Sequence, residues 1–512
     1  MRRIGIDVGG TNTDAVLIDG ATVLHAVKTP TTEDVLGGIR AALADLLAGA
    51  GDAVRGLDAV VIGTTHFTNA VIERRALARV GALRIGLPAS ASLPPFIDWP
   101  DDLAALVRGV VAMVPGGHEY DGRPIVPMDH AAVRDAARRM ADAGLTSIGI
   151  TSVFSPLTAE CELEAERIVA EEIPGAAITL SHDLGRIGLL ERENVTLLNA
   201  CLQDLARRTT EAFTAALQQS GIAAPLYLTQ NDGTIMRAEL ARRFPVFSFA
   251  SGPTNSMRGA AFLSGLADGV VVDVGGTTTD IGYLKDGFPR EANAAVAIGG
   301  VRTLFRMPDL LSIGLGGGTE IAEDGNRIGP GSVGFRLLQK ALAFGGDTLT
   351  ATDIAVAAGR IELGDRRHLA AVRRDFAERV LTRMAEMVTE GVDRMKTEAG
   401  DVPLLAVGGG SFLIPDRVEG CSAVVRVPHH AVANAVGAAI AQASGEVDQV
   451  FSGMTREAAL AAAQLEAERR AVEAGAVPAS LNVVEMEDIP LSYLPGDARR
   501  VRVRMIGDIG GP

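Results

Sequence analysis

Short β-branched runs that end in glycine and small polar residues alternate along this chain with longer stretches of helical period. Ile4-Gly5-Ile6 and Val270-Val271-Val272 each lead into the same octapeptide pattern, Asp7 to Asp14 and Asp273 to Asp280, and each is followed by another apolar stretch. That order predicts strand, tight turn, strand: a β-hairpin rather than the strand-to-helix turn of a Walker loop. The two octapeptides differ at one position, Asn12 against Thr278. Ordinary hairpin turns do not need the same eight residues, so the repeat points to one chemical task carried out at two places.

Between and beyond the hairpins the pattern predicts α/β alternation. Val35, Leu36, Ile39, Leu43, Leu46 and Leu47 mark a helix over residues 33–48. Ala59 to Ile62 is a buried-strand run ending in Gly63-Thr64-Thr65-His66, with a helix following from Phe67 to Arg75. Helices over 128–143 and 159–172 alternate with strands over 147–151 and 177–180, and a long helix free of proline and glycine runs from Leu189 to Gln219. The second half restarts with a strand at Leu226 to Leu228, carries a helix over 369–399, and gives a strand at Leu404 to Val407 ending in Gly408-Gly409-Gly410-Ser411. Beyond 445 come an Ala- and Glu-rich helix (455–474) and strands within 481–505, where the alternation Arg500-Val501-Arg502-Val503-Arg504 predicts a half-exposed strand. The expected organisation is doubly wound α/β, with domains over 1–185 and 186–445 and a small C-terminal accessory unit over 446–512.

Composition narrows the function classes. The chain has 512 residues, 47% hydrophobic and 22% charged, enough for more than one packed core. A formal charge of −15 argues against a nucleic-acid groove, which needs dense Lys and Arg. Cys161, Cys201 and Cys421 are odd in number and lack CxxC spacing, so neither a disulfide framework nor a zinc cluster is expected, and a reducing cytosol fits best. No apolar run suits a signal peptide or a membrane span, and the eight histidines lack metal-ligand spacing, which favours surface or packing roles for them.

Glycine pairs allow a sharp backbone turn and bring N–H groups close to phosphate oxygens, threonines add hydroxyl donors, and a leading aspartate can hold a cation. The nucleotide-binding candidates are therefore Gly9, Gly10, Thr11, Asn12 and Thr13 in one hairpin and Gly275, Gly276, Thr277, Thr278 and Thr279 in the other. Gly408, Gly409, Gly410 and Ser411 would form the platform for the nucleoside. Asp7 and Asp273 are the candidate Mg²⁺ ligands and, with Asp280, the catalytic candidates; Asp14 and Asp280 are equally suited to capping their hairpins through backbone N–H groups.

The order of hairpin, connecting helix, second hairpin and glycine loop resembles the actin, sugar-kinase and Hsp70 superfamily. Within it the chain is similar to the hydantoinase A and 5-oxoprolinase family from Ile4 to about Ala443. The resemblance rests on Gly63-Thr64-Thr65-His66-Phe67-Thr68-Asn69-Ala70, on Glu191-Arg192 with Leu198-Asn199-Ala200, and on Asn231-Asp232-Gly233-Thr234 with Ser251-Gly252-Pro253. The glycine loops Gly314 to Gly318 and Gly329 to Ser332, and Pro428-His429-His430-Ala431, also belong to it.

The resemblance implies two RNase H-like domains around a cleft for ATP and Mg²⁺. It also implies an ATP-dependent amidohydrolase that opens a small cyclic amide, such as a hydantoin, an oxoproline or a related lactam, after phosphorylation of the amide oxygen. Thr65, His66 and Asn69, at a strand's C-terminal end, together with Asn231 and Gly252, are the substrate-contact candidates; Thr65 fits a helix N-cap as well. Two rivals stand beside this reading: a small-molecule kinase, and a nucleotide-switched subunit of a larger hydrolase or carboxylase. A homo-oligomer or a companion subunit is compatible with either. Asp309-Leu310-Leu311 replaces an Asp-x-His pair of longer members, so no histidine role is carried over there.

Overall fold

A computed structural model describes residues 1–9, 11–30, 35–185, 187–292, 296–303, 305, 307–492 and 496–510, so Gly10 and the start of the helix expected over 33–48 lie outside the described residues. The first hairpin forms as its pattern predicts. Strand β1 (Arg2–Val8) pairs antiparallel with β2 (Asn12–Asp19), β2 continues antiparallel into β3 (Thr22–Pro30), and β4 (Ala59–Thr64) lies parallel on the other side of β1. β1 and β4 are buried on both faces, as central strands covered by helices must be. Four strands, β5 (Val80–Leu87), β6 (Arg108–Pro115), β7 (Ser147–Ser152) and β8 (Ala177–Leu180), then make a separate parallel sheet in the order β6-β5-β7-β8.

The chain returns to the first sheet after the long helix Leu189–Gln219. Strand β9 (Leu226–Thr229) pairs parallel with β4, and β10 (Ile235–Arg237) turns back along β9. The second hairpin is β11 (Gly269–Val274) with β12 (Thr279–Lys285), edged by β13 (Phe288–Pro289). Short pairs follow, β14 (Ala297–Ile298) with β15 (Val301–Arg302), and β17 (Thr319–Ile321) with β18 (Ile328–Ser332), while β16 (Leu310–Ile313) lies along β12. β19 (Val402–Val407) and β20 (Cys421–Arg426) complete this sheet. The two sheets share one order, β3-β2-β1-β4-β9 and β13-β12-β11-β19-β20, with the same antiparallel and parallel relations about the hairpin. The duplication thus extends from eight residues to a whole sheet.

Sheet membership does not follow the boundaries drawn at 185 and 445. β9 and β10 lie beyond 185 yet belong to the first sheet, and β21 (Ala443–Phe451), β22 (Asn482–Pro490) and β23 (Arg499–Gly507) extend that sheet past β10. Strand pairing joins segments distant in sequence, so a local reading of breaks could not find it. The helix Arg456–Ala474 packs Ala459, Ala463 and Ala467 against Val447, Val501 and Val503. Arg502, expected on a solvent face, is buried: Glu446, Glu485 and Glu291 meet its guanidinium, so β23 is covered on both faces.

Two helices cross between the sheets, Ser251–Ser264 and Ala433–Ile440. Their crossing depends on missing side chains. A Cβ at Gly259 would overlap the Ala433 carbonyl, one at Gly437 the Asn255 carbonyl, and one at Gly5 of β1 the Ala435 carbonyl.

Candidate functional site

Residues directly opposite in an antiparallel pair project from the same face. Asp7 stands opposite Asp14, and Asp14 opposite Lys28, so three strands set two carboxylates and an ammonium in a row. Lys28 Nζ lies 2.6 Å from Asp14 Oδ1 and 2.7 Å from Oδ2. Asn434, near the start of the helix Ala433–Ile440, donates to Asp7 Oδ2 at 2.7 Å. Gly63 at the end of β4 leaves room for this carboxylate, since a Cβ there would stand 2.8 Å from Asp7 Oδ1.

The second hairpin repeats the arrangement. Asp273 stands opposite Asp280, the Ser312 hydroxyl donates to Asp280, and the Ser256 hydroxyl of the other crossing helix donates to Asp273. Each crossing helix therefore serves one leading aspartate. Among the described residues Lys28 and Asn434 are side-chain partners of Asp14, and Ser312 is one of Asp280.

Burial, with Asp14 and Asp273 adding repulsion, pushes Asp7 up to about 7 against the pull of Lys28 and Asn434. Asp273 is pushed to about 6, chiefly by burial, with the Ser256 hydrogen bond opposing and Asp280 and Asp14 adding. Burial also raises Asp14 and Asp280. Carboxylates of the two hairpins thus raise one another across the cleft.

The turns face each other. A Cβ at Gly276 would lie 2.5 Å from Thr11 Oγ1, and the two turns close with matching bonds, Gly9 N–H to the Asn12 carbonyl at 3.0 Å and Gly275 N–H to the Thr278 carbonyl at 2.9 Å. Among the remaining candidates Thr11, Asn12 and Gly276 are half-buried, Thr277 and Thr278 are exposed, and Thr13 and Thr279 are buried. The Thr279 hydroxyl is committed to the Leu315 carbonyl at 2.6 Å. Gly317 and Gly318 donate to the Gly275 and Gly276 carbonyls at 3.0 and 2.7 Å, so that glycine loop braces the second turn.

The loop Gly408 to Ser411 joins the same place. Gly410 N–H donates to the Val274 carbonyl at 2.8 Å, and a Cβ at Gly408, whose φ is +87°, would overlap Asp273 Oδ1. Ser411 is buried, and Gly409 faces Lys28, whose Cε would be 3.9 Å from a Cβ.

The substrate-contact candidates divide. Asn69 Nδ2 lies 3.3 Å from Thr65 Oγ1, and a Cβ at Gly252 would touch the Thr65 methyl, so Thr65, Asn69 and Gly252 are gathered where the helix His66–Ile72 begins. Thr65 sits at the N-cap without a side-chain cap bond. Burial lowers the pKa of His66. Asn231 instead lines a cavity of about 280 Å³ with His182, Arg243, Phe244, Phe247 and Phe305, and neither Asp7 nor Asp273 borders it.

Lys28, Asn434 and Ser256 escape sequence reasoning. Lys28 lies on β3, a strand that no expectation from the sequence covers, and the other two become neighbours of the aspartates only through tertiary packing. Arg192 is buried and donates to the Ser181 hydroxyl and to the Ser152 and Ile187 carbonyls, while Glu191 pairs with Arg302. Asp309 pairs with Arg290 at 2.6 Å. The three cysteines are unpaired. Among the described residues no helix is long and apolar enough to cross a membrane, and no three acidic, His or Cys side chains form a metal cage. Mg²⁺ does not require one, since it takes one or two carboxylates and fills its shell with water and phosphate oxygens. Hard oxygen donors that repel one another suit such an ion.

This is an α/β protein in which two hairpins, each leading a sheet of the same strand order, bring their acidic turns together. The chain belongs to the hydantoinase/oxoprolinase family: the family's N-terminal region matches residues 3–173, and its hydantoinase/oxoprolinase domain matches residues 192–395. It is 25% identical to caprolactamase subunit alpha of Pseudomonas jessenii over 83% of this chain and 68% of that protein. It is also 25% identical to the acetophenone carboxylase gamma subunit of Aromatoleum aromaticum, over 70% of this chain and 53% of that one. It is 26% identical to the acetone carboxylase beta subunit of Xanthobacter autotrophicus, over 70% and 54%. The chain thus spans about half to two thirds of the length of these relatives. In fold it is similar to the ATP-dependent caprolactamase of Pseudomonas jessenii, with a TM-score of 0.75 at 20% identity over 99% of this chain and 87% of that one. Nucleotide-free acetone carboxylase gives 0.70 at 18% identity over 100% and 89%.

Proposed function

We propose that this chain binds Mg-ATP between its two hairpins and uses it to open a small cyclic amide. The observation that carries the reading is the convergence of Asp7 and Asp273 from duplicated turns, with Thr11 set against Gly276 and the Gly408–Ser411 loop beside both. Transfer of the γ-phosphoryl group of ATP to the amide oxygen, with ADP leaving, would make an imidate phosphate that water can attack at carbon; the C–N bond then breaks to open the ring, and hydrolysis of the acyl phosphate so formed releases phosphate. The protein's share is positioning and charge. Asp7 and Asp273 would hold the cation, which would let both ionise; Thr11, Thr277 and Thr278 would donate to phosphate oxygens; Lys28 is paired with Asp14 beside them. Relatives named as subunits of caprolactamase and of two carboxylases favour a second reading, in which turnover awaits a companion chain.

The test is phosphate release by the purified chain in the presence of a panel of cyclic amides, with and without a companion subunit. Asp7→Ala and Asp273→Ala are expected to lower turnover by at least about a hundredfold, the range for loss of a preorganised electrostatic group. A folded variant of either with undiminished ATPase activity would remove the assignment. A stable phosphorylated product without ring opening would turn the reading into a kinase.

A further inference from the structure

Several backbone N–H groups of the glycine loops are already committed. Those of Gly9 and Gly275 close their own turns on the Asn12 and Thr278 carbonyls, Gly408 N–H donates to the His430 carbonyl at 2.9 Å, and Gly410 N–H donates to the Val274 carbonyl. Four aspartates, Asp7, Asp14, Asp273 and Asp280, stand at the bases of the two turns. The phosphate chain of a nucleotide carries more negative charge than one divalent ion neutralises, so beside such a cluster it needs a further cation.

Lys28 is that cation by position. It lies on β3 opposite Asp14, and its charge opposes the upward shift of Asp7 and Asp14 in one hairpin and of Asp273 in the other. On its other side Lys28 Cε stands 3.9 Å from the place that a Cβ on Gly409 would take. The short turn of helix His430–Val432, whose first carbonyl accepts the Gly408 N–H, lies against both β2 and β3, so the glycine loop is fixed beside the strand of the lysine. The ammonium thus stands between the acidic centre and the Gly408–Ser411 loop, where a chain of phosphates joining the two would pass.

Its own bonds leave it a donor. Nζ is 2.6 Å from Asp14 Oδ1 and 2.7 Å from Oδ2, which engages two of the three N–H groups of an ammonium. The Asp14 side chain is 3% exposed and that of Lys28 31%, so the carboxylate is a buried anchor and the lysine its open end. The residue type fits as well. Of 48 basic residues only four are lysines, and the other three bind Asp268, Asp347 and the Gly420 carbonyl. In a chain that otherwise uses arginine, the lysine beside the hairpin aspartates offers a compact charge on a flexible stem, able to turn its third N–H to a ligand without leaving Asp14.

We propose that Lys28 binds the phosphate chain of the nucleotide, its free N–H donating to the phosphoryl oxygens nearest the nucleoside, those that ATP and ADP share. This rests on the nucleotide reading above and adds to it a residue and the part of the nucleotide that it holds.

The test is ADP binding to the full-length protein with Mg²⁺ present, read by calorimetry. Lys28→Met keeps the stem without the charge and is expected to weaken ADP binding at least about tenfold, the loss of one charged hydrogen bond. Lys28→Arg keeps the charge and should bind ADP within about threefold of the wild type. Should Lys28→Met fail to fold with Asp14 left buried and unpaired, Lys28→Met/Asp14→Asn removes both charges and carries the same expectation. In the wild type labelled with [¹³Cε]lysine, the NMR signal that Lys28→Met lacks should move saturably with ADP. Wild-type ADP affinity in the folded methionine variant would overturn the assignment, and the proposed function would stand if cyclic amides still drive phosphate release. Weakened binding with no movement of the Lys28 signal would also overturn it, as the mark of a lysine that only supports the fold. If ADP binding depends on Lys28 but no cyclic amide stimulates phosphate release, the lysine keeps its role and the proposed function falls. A wild type that binds no ADP removes both.

Discussion

Asp7 is in an unusual position for an aspartate: its protonated form is favoured until the solution is close to neutral. Its folded value of about 7 lies above the ordinary 3.8, so the folded protein binds a proton more tightly than the unfolded chain. That contribution to stability is present at and below pH 4 and is lost as pH rises through 7, and for this rise it amounts to at most about 4 kcal/mol. Relative to Asp7→Asn, the wild type is therefore expected to lose stability between pH 4 and 7 in urea melts without divalent cation. Equal slopes for the two proteins would contradict the carboxylate cluster. Lys28→Met removes a positive charge that pulls Asp7 down, so the pH at which this loss is complete should move upward. His182 shows how far a residue's neighbours override its type: eight scattered histidines invite a surface role for each, and only the pairing with Glu162 sets this one apart.

At the level of elements, hairpins, helices and strand ends were legible because their signals are local. The long helix Leu189–Gln219 and the strand Ala177–Leu180 have the bounds that the periodicity predicts. β3, β5 and β6 were passed over; in β5 a buried arginine, Arg84, interrupts the apolar run and is matched by Glu193 at 2.8 Å from a distant helix. The crossing of Ser251–Ser264 with Ala433–Ile440 is the element on which the two aspartates depend, because it delivers Ser256 to one and Asn434 to the other. Gly437→Val should force these helices apart and cost about 1–3 kcal/mol, read as a lowered Tm, with ATP turnover falling further than stability alone accounts for. An unchanged Tm would mean that the crossing tolerates a side chain.

Across the whole molecule, two sheets of one order meet at their hairpin turns, and Thr11 already touches Gly276. A triphosphate between the turns requires them to part, with the crossed helices as the natural pivot. Saturation with a non-hydrolysable ATP analogue is expected to change the small-angle scattering profile. An unchanged profile, with binding shown separately, would place the nucleotide beside the turns and not between them.

The chain's own pattern determined the duplicated hairpins, the α/β class, the family, and Asp7 and Asp273 as the acidic centre, since turns and periodicity are written in neighbouring residues. Tertiary structure alone decided that strands from three separated segments share one sheet, that Lys28, Asn434 and Ser256 meet the aspartates, and that Glu162 stands behind His182. These are contacts between residues tens to hundreds of positions apart, and no local signal marks a partner that only folding brings within reach.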